Sequence, residues 1–296
     1  MKVVTHSGTF HADDVFAFSV LREALGAFSL VRTRDAALID KADIVFDVGG
    51  IYDAARGRYD HHMRDLPRRS DGTPYSSVGL IWRDYGRAAL SRLVPGIGED
   101  MRDVVWQDVD TSFILAIDQA DNGIASASQG HLALLIEAFN PTWDCTQSYD
   151  EAFLEAADFA RGILLRACRQ AHAEAKALSL VQAAARQARD SRVVVLDRKL
   201  PWEKAVFEDD LRDLLFVIYP NEDRTSWYCR TIPPEPGSFG QRLSLPESWR
   251  GLQEEEFSKA AGIEDGVFCH PSGFICGARS RESAIRLAEK AIAAGR

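Results

Sequence analysis

The sequence predicts an α/β protein: a mainly parallel sheet with flanking helices in residues 1–190, then a smaller α/β domain in residues 191–296. Three observations carry this. Short β-branched runs alternate with helix-like pieces as far as "SRLV", ending at Val94, the pattern of a mainly parallel sheet covered on both faces. A long alanine-rich stretch follows, and "RVVVLD" then opens a fresh run of strands. The length of 296 residues suits one large or two medium domains.

"KVVTH" reads as the first strand, and "DDVFAFSVLREAL" as a helix with Val15, Phe18, Leu21 and Leu25 at helical spacing. "FSLVRT" reads as a strand, "DAALIDKA" as a short helix, and "DIVFDVGG" as a buried strand ending in a glycine turn. "SVGLIWRDYGRAALSRLV" is a helix with one apolar side, and residues 99–189 look almost wholly helical. Beyond "RVVVLD", the runs "LLFVIYP", "TSWYCRTI" and "VFCHPSGFICGARS" give a mixed sheet, closed by the helix "RESAIRLAEKAIAA".

Composition narrows the function classes. Apolar residues make up 46% and charged residues 27%, enough for a core and a solvated surface. No apolar run has the length of a bilayer span, and "MKVVTHSGTF" turns polar too early for a signal peptide, so a cytoplasmic, non-membrane protein is expected. Five scattered cysteines without a CxxC pair argue against a disulfide framework or a thiolate zinc site. The formal charge of −9 argues against coating long nucleic acid through a broad basic surface. It leaves room for an acidic metal site acting on phosphate, because bound cations reverse the local field. Arg56, Arg58, Arg64, Arg68 and Arg69 crowd one stretch and are either a solvated cluster or a phosphate-facing rim.

That stretch contains "GRYDHHMRD", with Asp60, His61 and His62 directly after a strand-like piece. Within a strand, adjacent side chains point to opposite faces; on a loop just past one, both histidines can turn to the same site. "THSGTFHADD" adds His6, His11, Asp13 and Asp14 at a strand-to-helix junction, where one aspartate could equally cap the helix. Asp47 ends an apolar strand, where a lone buried carboxylate is costly and calls for a partner. Asp118 and Asp121 lie three apart on one helix side or its last turn, though Asp121-Asn122-Gly123 also suits a simple helix stop. Ligands in open α/β sheets sit beyond the carboxyl ends of strands, and His6, Asp47 and Asp60-His61 all arrive there. Mixed histidine and carboxylate ligands suit Mn²⁺, with Mg²⁺ as the alternative. Two such ions, typically about 3.5–4 Å apart, would serve phosphoester or phosphoanhydride hydrolysis. His62, if not a ligand, would contact phosphate or protonate the leaving group.

In order along the chain, "HSGTFHAD", "DVGG", "YDHH" and "DQADNG" resemble the four motifs of the DHH phosphoesterase superfamily. More narrowly, "THSGTFHADDVFA", "IVFDVGGIYD", "RYDHH", "QRLSLPESWRGL" and "VFCHPSGFICGARSRESA" resemble the melanocyte-proliferating-gene (Myg) family of metal-dependent hydrolases, nearly end to end. The resemblance implies a DHH-type catalytic domain and a second domain closing over an inter-domain cleft. It implies a metal set of His6, His11, Asp13, Asp47, His61 and either Asp121 or Asp118, with Asp121 preferred and Asp47 bridging. Asp60 would be a ligand or would orient His61, and Asp60 and His62 are the catalytic candidates. The first motif departs from the superfamily spacing: His11 stands where an aspartate is usual, and His6 lies one residue too far upstream.

From the second domain, the resemblance implies that His270, Ser272, Gly273 and Arg279 form a glycine-rich, basic patch that contacts an anion. It also implies 3′-to-5′ exonuclease activity on RNA or short oligonucleotides through two metal ions. Hydrolysis of a small phosphate compound, such as pyrophosphate or a nucleotide, is the second expectation. Non-catalytic nucleotide or RNA binding is the third. The sequence leaves the oligomeric state open, a homodimer included.

Overall fold

The computed structural model describes residues 1–125, 131–208 and 211–295. They form two compact units, Met1–Ala173 and Glu174–Arg296. The division falls inside a long helix, earlier than the border at residue 190 expected from the sequence. The last turns of that helix explain the difference: Leu178, Val181, Ala184 and Ala185 pack into an apolar cluster with residues of the second unit.

The first unit holds a five-stranded sheet in the order β2-β1-β3-β5-β4. Its strands are β1 (Lys2–Thr5), β2 (Ser29–Arg32), β3 (Ile44–Phe46), β4 (Tyr52–Asp53) and β5 (Arg58–Tyr59). All pairings are parallel except β4 with β5. The chain can leave β3 and return as β5 because Gly57 takes a left-handed φ of 67°, and a Cβ there would strike the Asp43 carbonyl. Since β1, β3 and β5 are adjacent and parallel, their carboxyl ends, carrying His6, Asp47 and Asp60, share one edge of the sheet.

Helix α1 (Ala12–Leu25) is buried through Ala12–Leu21 rather than along one stripe, as expected for a helix apolar nearly all round. After α2 (Ala36–Asp40), helix α3 (Ser77–Leu93) packs along α1. Its first turns, Ser77–Trp82, are buried all round, and one side carrying Gly86, Ala89, Leu90 and Leu93 is buried further on. Helix α4 (Glu99–Val109) passes through a π-helical segment, Asp110–Ile114, directly into α5 (Leu115–Asp121). Helix α6 (Leu132–Glu137) and the long α7 (Tyr149–Arg186) follow. The near-continuous helix expected over 99–189 is therefore interrupted at 138–148; residues 126–130 lie outside the described residues. Asn140 in that interruption ties down the loop before α1, accepting from Phe10 N at 3.0 Å and donating to Phe10 O at 2.9 Å.

The second unit has β6 (Val193–Val195), α8 (Glu203–Glu208), β7 (Phe216–Pro220), β8 (Trp227–Thr231), α9 (Glu254–Ala261), β9 (Gly266–Cys269), β10 (Ile275–Ala278) and α10 (Arg281–Ala294). The sheet order is β6-β7-β8-β10-β9, parallel only at β6–β7. The expected α/β class with flanking helices is thus present in both units. No described helix is long and apolar enough to cross a membrane.

Candidate metal centre

The site begins with Asp47. Its backbone has φ +53°, in the left-handed region that few residues other than glycine adopt. The following glycines, Gly49 at φ 101° and Gly50 at φ 68°, complete the turn. Local strain of this kind persists where surrounding contacts over-determine it. Here the contacts are specific. His6 Nε2 lies 3.1 Å from Asp47 Oδ2, His61 Nε2 lies 3.2 Å from Asp47 Oδ1, and Ser77 Oγ donates to Asp47 Oδ1 at 3.2 Å.

Around Asp47, three sets of donor atoms each converge within 4.8 Å: His6, Asp14 and Asp47; Asp13, His61 and Asp121; and Asp47, His61 and His62. Asp47 belongs to two sets, as does His61. His61 Nε2 is also 3.6 Å from Asp13 Oδ2 and 3.4 Å from Asp121 Oδ2. His6, Asp13, Asp14, Asp47 and His61 are all buried.

Burial of so many carboxylates strains their ionisation. It pushes the Asp13 carboxyl well up, with Asp47 and Asp121 adding like charge. It also raises Asp14 and Asp121, against the opposing pull of His6 and His61 respectively. Asp47 goes the other way: burial would raise it, but hydrogen bonds from His6 and His61 hold it well below the usual carboxylate range. For His6, burial opposes the charge, but Asp14 and Asp47 prevail and raise it to about 10.

The donor set fits divalent cations. Asp13 Oδ1 is buried without a hydrogen-bond partner, and the equally buried Asp14 Oδ2 has only the ion-pair contact with His6 Nε2 at 3.1 Å. Unpaired buried carboxylate oxygens are expensive, and hard cations with oxygen and imidazole ligands supply what they lack.

Of the expected ligands, the structure brings His6, Asp13, Asp47, His61 and Asp121 together. His11 stands at the rim, exposed, with its ring 6.2 Å from that of His6, and belongs to none of the three sets. It is the N-cap residue of α1, and Asp14 Oδ1 accepts its backbone N–H at 2.9 Å. Asp14, read in sequence only as a candidate cap, thus does both: one oxygen holds the helix start and the other enters the cluster. Asp118 lies elsewhere. Its carboxylate is fully buried against Arg69 Nε at 2.6 Å and Ser76.

Asp60 is in none of the three sets. Its Oδ1 accepts from the backbone N–H of His61 at 2.7 Å and of His62 at 3.1 Å, and pairs with His62 Nδ1 at 2.7 Å, while Oδ2 accepts from Gly50 N. It therefore orients the His62 ring, not the His61 ring. Donating to the Asp60 carboxylate raises His62. The His62 side chain is 64% exposed and lines a cavity of about 790 Å³ with His11, His61, Arg64, Asp121 and Asn122. Of the five clustered arginines, Arg64 alone lines this cavity. Arg69 is buried in ion pairs with Asp110 and Asp118, and Arg58 and Arg68 donate to backbone carbonyls.

In the second unit, His270, Ser272 and Gly273 form the turn of the β9–β10 hairpin. His270 N donates to Ile275 O at 2.9 Å, Ser272 N to His270 Nδ1 at 3.1 Å, and Gly273 has φ 68°. Arg279 follows the other end of β10 and pairs with Glu254 at 3.0 Å. The single patch expected from the sequence is not formed, because the whole of β10 separates Arg279 from the turn.

Fold and site thus define an α/β protein with a candidate divalent-metal centre at the carboxyl edge of a parallel sheet. The chain belongs to the MYG1 family: the family model, described as an uncharacterised protein family (UPF0160), matches residues 2–292. A MYG1 protein of Schizosaccharomyces pombe is 34% identical over 321 residues, covering 99% of this chain and 97% of the relative. A MYG1 exonuclease of Homo sapiens is 35% identical over 324 residues, covering 99% and 86%. Among solved structures, a pGpG-specific phosphodiesterase from Vibrio is similar at a TM-score of 0.33 and 12% identity, over 99% of this chain and 98% of that one. A likeness that remote does not bear on the chemistry.

Proposed function

We propose that this protein is a metal-dependent phosphoesterase, a 3′-to-5′ exonuclease acting on RNA or short oligonucleotides. The observation that carries the reading is the buried cluster around Asp47, with carboxylate oxygens short of hydrogen-bond partners, two of whose members, His61 and Asp121, line an open cavity. Mammalian relatives bearing the name MYG1 exonuclease support an exonuclease activity. In this reading residues 1–190 are catalytic and residues 191–296 bind substrate, with His270, Ser272 and Gly273 contacting an anion.

His6, Asp14 and Asp47 would hold one cation, and Asp13, His61 and Asp121 with Asp47 a second, Mn²⁺ or Mg²⁺. When bound, such ions supply Lewis acidity and charge neutralisation at a phosphoryl oxygen. Asp47 would serve both cations, since one of its oxygens faces His6 and the other His61 from a left-handed backbone. Asp60 fixes the Nδ1 side of His62 and favours the protonated ring, which suits Nε2 to contact a phosphate oxygen or give a proton to the leaving oxygen. Arg64 adds positive charge to the cavity wall.

Labelled RNA oligomers of several lengths, incubated with Mn²⁺, Mg²⁺ or EDTA, test the proposal. A metal-dependent ladder shortening from the 3′ end supports it, provided Asp47→Ala and His61→Ala abolish the ladder. Intact RNA with phosphate release from pyrophosphate or a nucleotide would shift the substrate to a small phosphate compound. RNA binding that survives chelation, without cleavage, would leave a non-catalytic binder.

A further inference from the structure

Behind the candidate metal centre lies a second polar cluster, entirely within the first unit. Asp118 Oδ1 accepts from Ser76 N at 3.0 Å and Ser76 Oγ at 2.6 Å, and Oδ2 accepts from Arg69 Nε at 2.6 Å. Arg69 in turn forks onto Asp110, with Nη1–Oδ2 at 2.6 Å and Nη2–Oδ1 at 3.0 Å. Bidentate pairs of this kind fix orientation as well as charge. Ser76 is the N-cap residue of α3. The next residue, Ser77, faces the candidate ligands: its N–H donates to Asp13 Oδ2 at 3.3 Å and its Oγ to Asp47 Oδ1 at 3.2 Å.

Gly79 supplies an independent sign that the arrangement is built. It lies in the first turn of α3, where glycine costs helix stability relative to alanine. A Cβ at this position would stand 2.5 Å from both Asp118 oxygens. The helix therefore gives up a side chain where the carboxylate approaches. Asp110 opens the π-helical segment and Asp118 lies in α5, which follows it directly. Single π-turns re-phase the residues on either side, often near functional sites.

We infer that Arg69 and Asp118 are positioning residues for the metal centre, holding Ser76 and thereby aiming Ser77 at the Asp13 and Asp47 carboxylates. Neither touches the cluster. They fix the start of α3, and α3 sets the directions in which two candidate ligands present their oxygens. The inference rests on the metal-centre reading and extends it to residues outside the donor sets.

The test is titration of Mn²⁺ into the metal-free protein, followed by calorimetry and by electron paramagnetic resonance of the bound ion. Wild type is compared with Asp118→Asn, Gly79→Ala and Ser77→Ala, at a temperature where circular dichroism shows each folded. Removing partners that orient metal ligands typically lowers affinity by about 10- to 100-fold. Asp118→Asn and Gly79→Ala are expected to lose at least about tenfold and to broaden the Mn²⁺ spectrum. Ser77→Ala, the smallest change and a safeguard should the others unfold, is expected to lose affinity in the same direction. Affinity within twofold of wild type in the folded variants overturns the inference while leaving the metal centre intact. Failure of the wild type to bind Mn²⁺ overturns the underlying reading, and the inference with it.

Discussion

Asp118 and Asp121 stand three residues apart on α5 and do different work. Asp121 Oδ2 lies 3.4 Å from His61 Nε2 in the candidate metal centre, whereas Asp118 Oδ2 lies 2.6 Å from Arg69 Nε in a buried ion pair. For Arg69, burial opposes the charge, but the hydrogen bonds to Asp110 and Asp118 outweigh it and hold the guanidinium firmly protonated. Truncating Asp118 would leave that cation buried with half its partners. Breaking one side of a buried pair costs about 3–5 kcal/mol, so Asp118→Ala is expected to destabilise the first unit by that order. Asp121→Ala should leave folding nearly unchanged and lower Mn²⁺ affinity. Thermal unfolding of the two metal-free variants side by side distinguishes these roles.

The cluster is a store of repulsion in the metal-free protein. Burial pushes Asp13 up, and Asp47 and Asp121 push it further. Asp13→Asn removes one of these charges and is expected to raise metal-free stability at neutral pH by about 1 kcal/mol or more. The same variant should lose most of the stabilisation that Mn²⁺ confers. A metal-free variant less stable than wild type would contradict this assignment of like-charge strain.

Stability should respond to ligand in proportion to occupancy. With Mn²⁺ at about 100 times its dissociation constant, linkage predicts about 2.7 kcal/mol of added stability per site, and EDTA should abolish it. Denaturant unfolding with and without Mn²⁺ measures the increment directly.

Protons compete with the metal at His6. Its folded value of about 10 lies above its ordinary 6.5, so in the metal-free protein its ion pairs contribute stability fully present below about 6.5. That contribution is lost as pH rises through about 10. Because imidazole must be neutral to ligate, Mn²⁺ affinity at the site His6 shares with Asp14 and Asp47 should climb between pH 6.5 and 8.5, with about one proton released from His6 as that site fills. Calorimetry in buffers of different ionisation enthalpy counts that proton, and affinity independent of pH would refute the role given to His6.

His62 and Asp60 should separate catalysis from folding. General acid groups contribute about 10²–10⁴ in rate, so His62→Gln is expected to lower kcat by at least about a hundredfold with a much smaller effect on KM. Asp60→Asn should follow it in part, because the ring remains but loses its charged anchor. An unchanged kcat in His62→Gln would remove His62 from the mechanism.

What could be read from the sequence was local. His6 and Asp47 directly follow the apolar runs of β1 and β3, and Asp60 directly follows β5, so their arrival at strand ends could be read locally, whereas the adjacency of the three strands is a property of the sheet. Asp14 was harder, since consecutive residues on a helix point in different directions and a sequence does not say which faces the sheet edge. Asp118 was harder still. Its partner Arg69 lies 49 residues away, and no local pattern marks such a pairing. Gly79 would have been a useful sign: a glycine among the apolar residues of a helix's first turns marks a close approach, though not of what. Arg279 shows the converse error, because its nearness in sequence to the His270–Gly273 turn is undone by the length of β10.

The most direct test of the central claim is a crystal structure grown with Mn²⁺ and measured at wavelengths on either side of the manganese absorption edge. The account predicts two anomalous peaks flanking the Asp47 carboxylate, about 3.5–4 Å apart. His6 and Asp14 would lie beside one peak, and Asp13, His61 and Asp121 beside the other. Peaks absent from this cluster, or a single ion held without Asp47, would contradict it.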